Sequence, residues 1–212
     1  MLFDALYEFL RPLPAHLRKL WGPHIGTQIL WSDDVPEKYQ DMRIPYNGNG
    51  KRGEPDFSDT AYFPPFSKAV AVGVNGWDWP DRRSRYVTFD LDSLLNHVKG
   101  LTPEKIAEII ERLEAVPWVE IVRSKSGHGY HVRIFFDPLP CAFTHTEHAR
   151  NAERALAFLS QVTGLDLKAA VDACGGMAWI WHRDTATTGF ELVKDATASL
   201  DLSVAPELPS KT

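Results

Sequence analysis

The sequence predicts a mixed α/β (α+β) fold, and three observations support this class. From residue 68 onward, segments that alternate apolar and polar residues, as strands do, are interspersed with segments whose apolar residues recur at helical spacing. Two helix starts are marked, one by Thr102 with Pro103 and the other by Thr144 with Glu147. Hydrophobic residues make up 44% of the 212 residues, which is enough for one large domain or two small ones.

Residues 1–66 are predicted to form an N-terminal α/β module with a long loop. Two short amphipathic helices are separated by Pro12 and Pro14, and a strand follows at residues 27–31. The apolar anchors of the helices are Leu6, Phe9, Leu10, Leu17 and Leu20. Residues 33–66 show little periodicity, and their stretch YNGNGKRGEPDF is polar and rich in turn formers, which indicates a surface loop.

Residues 67–200 are predicted to form a second module, and residues 201–212 a tail or linker. Strands are expected at 85–91, 119–123 and 130–136, with two later strands near 177–181 and 190–193. One helix should run from Pro103 to just before Pro117, and another from Thr144 to near Gly164. The order β-α-β-β-α-β plus one strand is typical of an RNA-recognition-motif-like sheet with helices on one face.

The first candidate site is the acid pair of the segment RYVTFDLD. Asp90 and Asp92 share one face of the strand, roughly 7 Å apart along the backbone. Two such carboxylates repel each other unless a cation lies between them, and paired oxygens suit Mg²⁺ or Mn²⁺. The alternative is a solvated strand end, because an Asp-x-Asp pattern is common by chance.

The second candidate site is the loop SKSGHGYH between two predicted strands. Gly127 and Gly129 allow the backbone to present N–H groups to an anion, and Ser126 adds a hydroxyl donor. Positive charge is expected from Lys125, His128 and His131. A plain hairpin turn also favours glycine and stays open as an alternative. Together, an acid pair and a phosphate-binding loop on neighbouring strands indicate a nucleoside triphosphate site.

These two patterns resemble motifs I and II of the archaeo-eukaryotic primase superfamily. The likeness spans roughly residues 68–195 and is greatest to primase-polymerase domains of phages, plasmids and bacterial replication proteins. It implies a template-directed nucleotidyltransferase with two divalent ions, Mg²⁺ or Mn²⁺, and no zinc. The implied catalytic face is the open face of the sheet, opposite the helices.

The resemblance also implies residue roles. Asp90, Asp92 and Asp172 would hold the metals, with Asp184 and Glu191 as alternatives to Asp172. Ser126 and His131 would grip the incoming triphosphate. The further nucleotide-binding candidates are Lys125, Gly127, Gly129, Arg183 and Lys194.

Nucleic-acid contacts are expected from basic residues near the first motif. The densest run is DRRSR, and a second group lies in the long loop. The candidates are Arg82, Arg83, Arg85, Lys51 and Arg52. Trp77 and Trp79 would either stack on bases or pack a loop onto the core. The expected partners are nucleoside triphosphates, a single-stranded or primed DNA template, and a fused or associated helicase.

Composition limits the other classes of protein. The net charge of -5 argues against a constitutive nucleic-acid coat, though not against a local basic cleft. Two cysteines without CxxC spacing predict neither a zinc site nor a disulfide framework, and hence a cytoplasmic location. No apolar run approaches the ~20 residues of a membrane span. A non-catalytic single-strand-binding module and a rolling-circle-type endonuclease remain as alternative functions.

Overall fold

The computed structural model describes residues 2–44, 63–91, 101–171, 176–184 and 189–208. Within them, antiparallel sheets and helices confirm the predicted mixed α/β class. The helices are α1 (Leu2–Leu10), α2 (Ala15–Arg18), α3 (Glu37–Gln40), α4 (Pro103–Glu114), α5 (His145–Thr163) and α6 (Leu167–Ala170). The strands are β1 (Ile25–Trp31), β2 (Asp41–Ile44), β3 (Ala69–Asp78), β4 (Arg83–Ser84), β5 (Tyr86–Leu91), β6 (Val119–Arg123), β7 (Tyr130–Phe135), β8 (Ala178–His182) and β9 (Leu192–Lys194). No helix among the described residues is both long and apolar enough to cross a membrane.

The first sheet has the order β2-β1-β3-β4, and β8 also pairs with β3. Leu6 and Leu10 of α1 are buried in the same apolar cluster as β1 and β3. Strand β2 lies inside the segment 33–66 that was expected to be a loop. Because β3 and β8 pair into the sheet of the N-terminal strands, a module boundary between residues 66 and 67 divides one sheet.

The second sheet has the order β5-β7-β6-β9. Its first three strands have the neighbours expected of an RNA-recognition-motif-like sheet, and α4 and α5 cover one face through a shared apolar core. The last two strands belong to different sheets. Strand β9 pairs with β6 at the edge of the second sheet, whereas β8 pairs with β3 in the first sheet. Val87, Phe89 and Leu91 are in the helix-side core, as their alternation predicted.

The helix ends confirm the predicted caps. Thr102 accepts a hydrogen bond from the Lys105 backbone N–H at 3.3 Å. Thr144 and Glu147 form both halves of a capping box. Gly164 ends α5 with a φ of 69°, in the left-handed region that favours glycine.

The face of the second sheet opposite α4 and α5 is covered in part, which corrects the expectation of an open face. The Tyr86 hydroxyl donates to the Leu20 carbonyl at 2.7 Å, and Leu17 of α2 packs with Val122 of β6. Gly76 has a φ of 80°, and a Cβ there would collide with the Tyr86 carbonyl oxygen. The N-terminal segment and β3 therefore pack on part of this face.

The predicted tail begins with packed chain. Leu202 and Ala205 are buried with the helix-side core of the second sheet. The Arg154 guanidinium donates to the carbonyls of both residues, at 3.2 and 3.0 Å. Residues 201–205 are therefore part of the folded unit, because two of their apolar side chains are buried in the core and two of their carbonyls accept hydrogen bonds from α5.

One buried histidine joins α5 to the first sheet. His148 Nε2 donates to the Asn75 carbonyl at 2.7 Å, and its Nδ1 accepts from the Ser84 hydroxyl at 2.9 Å. Asn151 in turn donates to the Ser84 oxygen at 3.0 Å. Burial lowers the pKa of His148 to about 4, so the ring is neutral at neutral pH.

This neutral ring predicts a loss of stability in mild acid. An unfolded histidine takes up a proton near pH ~6.5, whereas folded His148 resists protonation until its pKa of about 4. The contribution is complete above pH ~6.5 and is lost as the pH falls towards the folded pKa. Between pH 7 and 5 the unfolding free energy should fall by about 2 kcal/mol on this account. Urea unfolding of His148→Gln should show a correspondingly weaker pH dependence, and an unchanged dependence would contradict the assignment.

Candidate active site

The acid of the first motif and the histidine of the second face each other across two strands. Asp90 near the end of β5 pairs in register with His131 of β7. Asp90 Oδ1 lies 3.7 Å from His131 Nε2. The Asp90 side chain is 36% exposed, whereas that of His131 is 5% exposed. The Asp90 carboxylate is therefore partly open to solvent, and the histidine beside it is buried.

His131 is neutral, which corrects the expectation that it supplies positive charge. Burial is the largest cause that lowers the pKa of His131 to about 3, and the nearby charge of Arg133 adds to it. At neutral pH the ring can donate one N–H and accept one hydrogen bond, but it does not cancel the charge of Asp90. The Phe190 ring packs on it with a centroid distance of 5.9 Å.

Ser124, which the sequence analysis overlooked, organises the loop before β7. Its carbonyl accepts from the Gly127 N–H at 3.0 Å, and its hydroxyl accepts from the Gly129 N–H at 3.1 Å. Both glycine N–H groups are thus used inside the loop rather than presented to an anion. Gly127 alone of these two has a positive φ, 76°. The Ser126 hydroxyl accepts from the His128 N–H at 3.3 Å.

Lys125 extends from this loop to the first sheet. Its Nζ lies 2.9 Å from Nε2 of His182, the last residue of β8. His182 pairs in register with Ala71 of β3. The contact joins the loop of the second sheet to β8 of the first sheet. His182 was not among the predicted site residues.

Two predicted nucleotide-binding residues point elsewhere. Lys194 Nζ donates to the carbonyls of Val116 and Val119, at 2.7 and 2.5 Å, and so anchors the chain that follows α4. Arg183 donates to the Ser67 carbonyl at 2.9 Å. Neither side chain donates to the loop at 124–129. Lys194 is hydrogen-bonded to the turn before β6, and Arg183 is hydrogen-bonded to the residues just before β3.

The basic run before β5 is held by neighbouring backbone. Arg82 Nη1 donates to the Phe143 carbonyl at 2.9 Å, and Arg83 Nη1 donates to the Leu139 carbonyl at 3.3 Å. Both residues are exposed. These bonds tie the run to residues 139–143 and leave each guanidinium with further N–H donors.

Arg85 and Trp77 have structural partners as well. Arg85 is paired with the fully buried carboxylate of Asp78, at 2.5 Å from Nη2. Trp77 Nε1 donates to the Ala142 carbonyl at 2.9 Å. Of the two roles expected for Trp77, packing a loop onto the core therefore fits this contact better than stacking on bases.

Several predicted residues lie outside the described part of the chain. They are Asp92, Asp172, Lys51 and Arg52. Among the described residues, no group of three or more His, Cys, Asp or Glu side chains is placed to hold a metal ion. The two alternatives to Asp172 are exposed: Asp184 at 75%, and Glu191 at 64% with an ion pair of 3.2 Å to Arg123.

A buried charge cluster lies beside the candidate site on the same face of the sheet. Arg133 and Glu120 are both fully buried, pair in register, and are joined at 3.1 Å. Lys19, which follows α2, reaches the same Glu120 carboxylate. Burial lowers the pKa of Arg133, against the opposing effect of Glu120. The sequence does carry a signal for this pair: Glu120 and Arg133 are charged residues inside otherwise apolar strands.

Comparison with known proteins gives a fold likeness only. No protein-family model and no curated protein match the chain. Among solved structures, it is similar to the AEP domain of the primase-polymerase of cyanophage S-2L, at 12% identity over 94% of each chain and a TM-score of 0.43. Because both values are low, the function proposed below rests on the residues of this chain.

The buried pair predicts a strong dependence of stability on Glu120. Glu120→Gln leaves the Arg133 charge buried beside a neutral amide and should lower the unfolding free energy by about 3–5 kcal/mol. Glu120→Leu combined with Arg133→Met removes both charges and should recover most of that loss. Urea unfolding measures both. Glu108→Gln, which breaks the exposed pair with Lys105, is the control and should change stability little.

If Glu120→Gln were as stable as the unmodified protein, the buried pair would not stabilise the fold as described.

Proposed function

We propose that the chain is a template-directed nucleotidyltransferase, a DNA primase-polymerase. The observation that carries this is the juxtaposition of Asp90 with His131, which follows the loop at 124–129. A carboxylate beside a hydroxyl- and ammonium-bearing loop is the set of groups that a metal-bound triphosphate requires.

The carboxylates proposed to hold divalent ions are those of Asp90, Asp92 and Asp172. Asp90 fits this role, since it offers an oxygen ligand that is partly exposed and that neutral His131 does not neutralise. Carboxylate oxygens favour Mg²⁺ or Mn²⁺. When bound, two such ions would lower the pKa of the attacking 3′-hydroxyl and offset the charge of the triphosphate and the leaving pyrophosphate.

The remaining roles fall to side chains of the loop and its surroundings. Lys125 and the Ser126 hydroxyl bind the phosphates of the incoming nucleotide. His131 positions its neutral N–H beside Asp90 and donates to a phosphate oxygen rather than supplying charge. Arg82 and Arg83, which are exposed, contact the template or primer backbone, and sequence specificity comes from base pairing with the template.

Substitution of Asp90, the proposed metal ligand, tests the proposed catalytic activity. Asp90→Ala should reduce nucleotide incorporation on a primed single-stranded template with Mn²⁺ by at least about a hundredfold, since several kcal/mol of charge stabilisation are lost. Gel electrophoresis of labelled products measures this. The fold should persist, because removing a partly exposed carboxylate leaves no cavity.

The matched control is Glu111→Ala, which removes an exposed carboxylate from α4. Its incorporation rate should equal that of the unmodified protein. Equal rates for Asp90→Ala and the control, at saturating Mn²⁺, would rule out the catalytic assignment. Metal-independent binding of single strands without any incorporation would favour the non-catalytic binding module.

A further inference from the structure

An exposed aromatic ring lies beside the two exposed arginines that precede β5. Phe143 is 57% exposed, and Leu139 on the same segment is 39% exposed. Arg82 Nη1 donates to the Phe143 carbonyl at 2.9 Å, and Arg83 Nη1 donates to the Leu139 carbonyl at 3.3 Å. A single exposed apolar residue needs no explanation. An exposed ring next to two guanidinium groups, however, is a combination that binds planar, anionic ligands.

The charges of these two arginines are not used in ion pairs within the described part of the chain. Their guanidinium groups donate to backbone carbonyls, and Arg83 Nη1 also lies 2.9 Å from Cys141 Sγ. Arg85, by contrast, is paired with the buried carboxylate of Asp78. A guanidinium has five N–H donors. Arg82 and Arg83 therefore keep both positive charge and exposed donors for an anion.

The backbone beneath this surface is held by hydrogen bonds. Arg82 has a φ of 55°, in the left-handed region that favours glycine, and its carbonyl accepts from the Ala142 N–H at 2.8 Å. Glu147, in the cap of α5, accepts from the Phe143 N–H at 2.5 Å. The ring and the guanidinium groups are thus presented from ordered main chain, which reduces the entropy that is lost on binding.

Single-stranded nucleic acid has the groups that this surface can bind. The bases of a duplex stack on one another, whereas those of a single strand can stack on an aromatic side chain. The phosphates between successive bases are anions that accept from guanidinium groups. One ring flanked by two arginines therefore matches one base with its adjoining phosphates.

We propose that Phe143 stacks on a base of the single-stranded template while Arg82 and Arg83 contact the adjoining phosphates. This rests on the proposed function, which it deepens by adding the residue that holds a template base. Strand β5 begins at Tyr86, directly after this surface, and Asp90 is near its other end. Four steps of strand rise, roughly 13 Å, lie between those two residues. Phe143 is therefore a positioning residue for the template and does not reach the reacting groups.

Oligonucleotides with and without bases test the stacking directly. Fluorescence anisotropy of a labelled oligothymidylate and of an abasic strand of equal length, with a chelator present, gives the dissociation constants of the full chain. The unmodified chain should bind the strand with bases more tightly. Phe143→Ala should weaken that binding roughly five- to a hundredfold and leave the affinity for the abasic strand unchanged. Phe143→Leu should do the same, whereas Phe143→Tyr keeps a ring and should stay within about threefold.

Arg83→Gln separates charge from stacking. It should weaken the binding of both oligonucleotides and reduce the slope of log affinity against log salt by about 0.7, because one phosphate contact is lost. Phe143→Ala should leave that slope unchanged. Tyr7→Ala is the matched control, since it removes a ring of similar exposure, 54%, from α1. It should bind both oligonucleotides like the unmodified chain.

Several results would overturn the proposal. They are equal affinity of the unmodified chain for the two oligonucleotides, unchanged binding of oligothymidylate by Phe143→Ala, and an equal loss in Tyr7→Ala. A loss of the same size on the abasic strand in both Phe143→Ala and Phe143→Leu would overturn it as well, since it would assign the ring a structural role. Unchanged affinity for the abasic strand also shows that a variant is folded.

The incorporation assay of Asp90→Ala separates this surface from the proposed catalysis. If Phe143→Ala loses its preference for the strand with bases while Asp90→Ala keeps full incorporation, the stacking site stands and the nucleotidyltransferase assignment fails. If Asp90→Ala loses incorporation and Phe143→Ala binds oligothymidylate like the unmodified chain, the catalytic assignment stands and the stacking site fails.

Discussion

The buried carboxylate of Glu120 fixes the N-terminal segment against the second sheet. It is fully buried, and it pairs with Arg133 of the neighbouring strand and with Lys19 of the N-terminal segment. A buried charge is costly unless it is paired, so these partners can separate only at a large free-energy cost. The N-terminal segment is thereby held on the face of the second sheet that carries Asp90 and His131.

Local signals in the sequence predicted local structure. Thr102, Thr144 and Gly164 mark helix ends because each cap is made within a few residues of chain, and all of them are present. The alternation in β5 also predicted that Val87, Phe89 and Leu91 share one face, because side chains alternate along a strand. The partners of β8 and β9 were not predictable in this way, because they depend on contacts at least 70 residues away in sequence.

Two predicted site residues with backbone partners away from the loop show a second limit. Arg183 and Lys194 were chosen by order along the chain, yet a step of one residue reverses the face of a strand. His182, one position before Arg183, is the residue that meets the loop. The glycines were expected to offer N–H groups to an anion, but Ser124 uses those groups first. The side chains of Lys125, Ser126 and His128 are therefore the groups that the loop can still offer to a ligand.

The buried pair also affects the histidine beside Asp90. Burial is the main cause that lowers the pKa of His131 and keeps its ring neutral, and the charge of Arg133, two residues further on the same face of β7, adds to it. Glu120 offsets that charge without reaching the ring, since it pairs with Arg133. At neutral pH the ring can therefore donate one hydrogen bond beside the Asp90 carboxylate but carries no charge of its own. The cluster that joins Lys19 to β6 thus contributes to the charge state of the histidine in the candidate site.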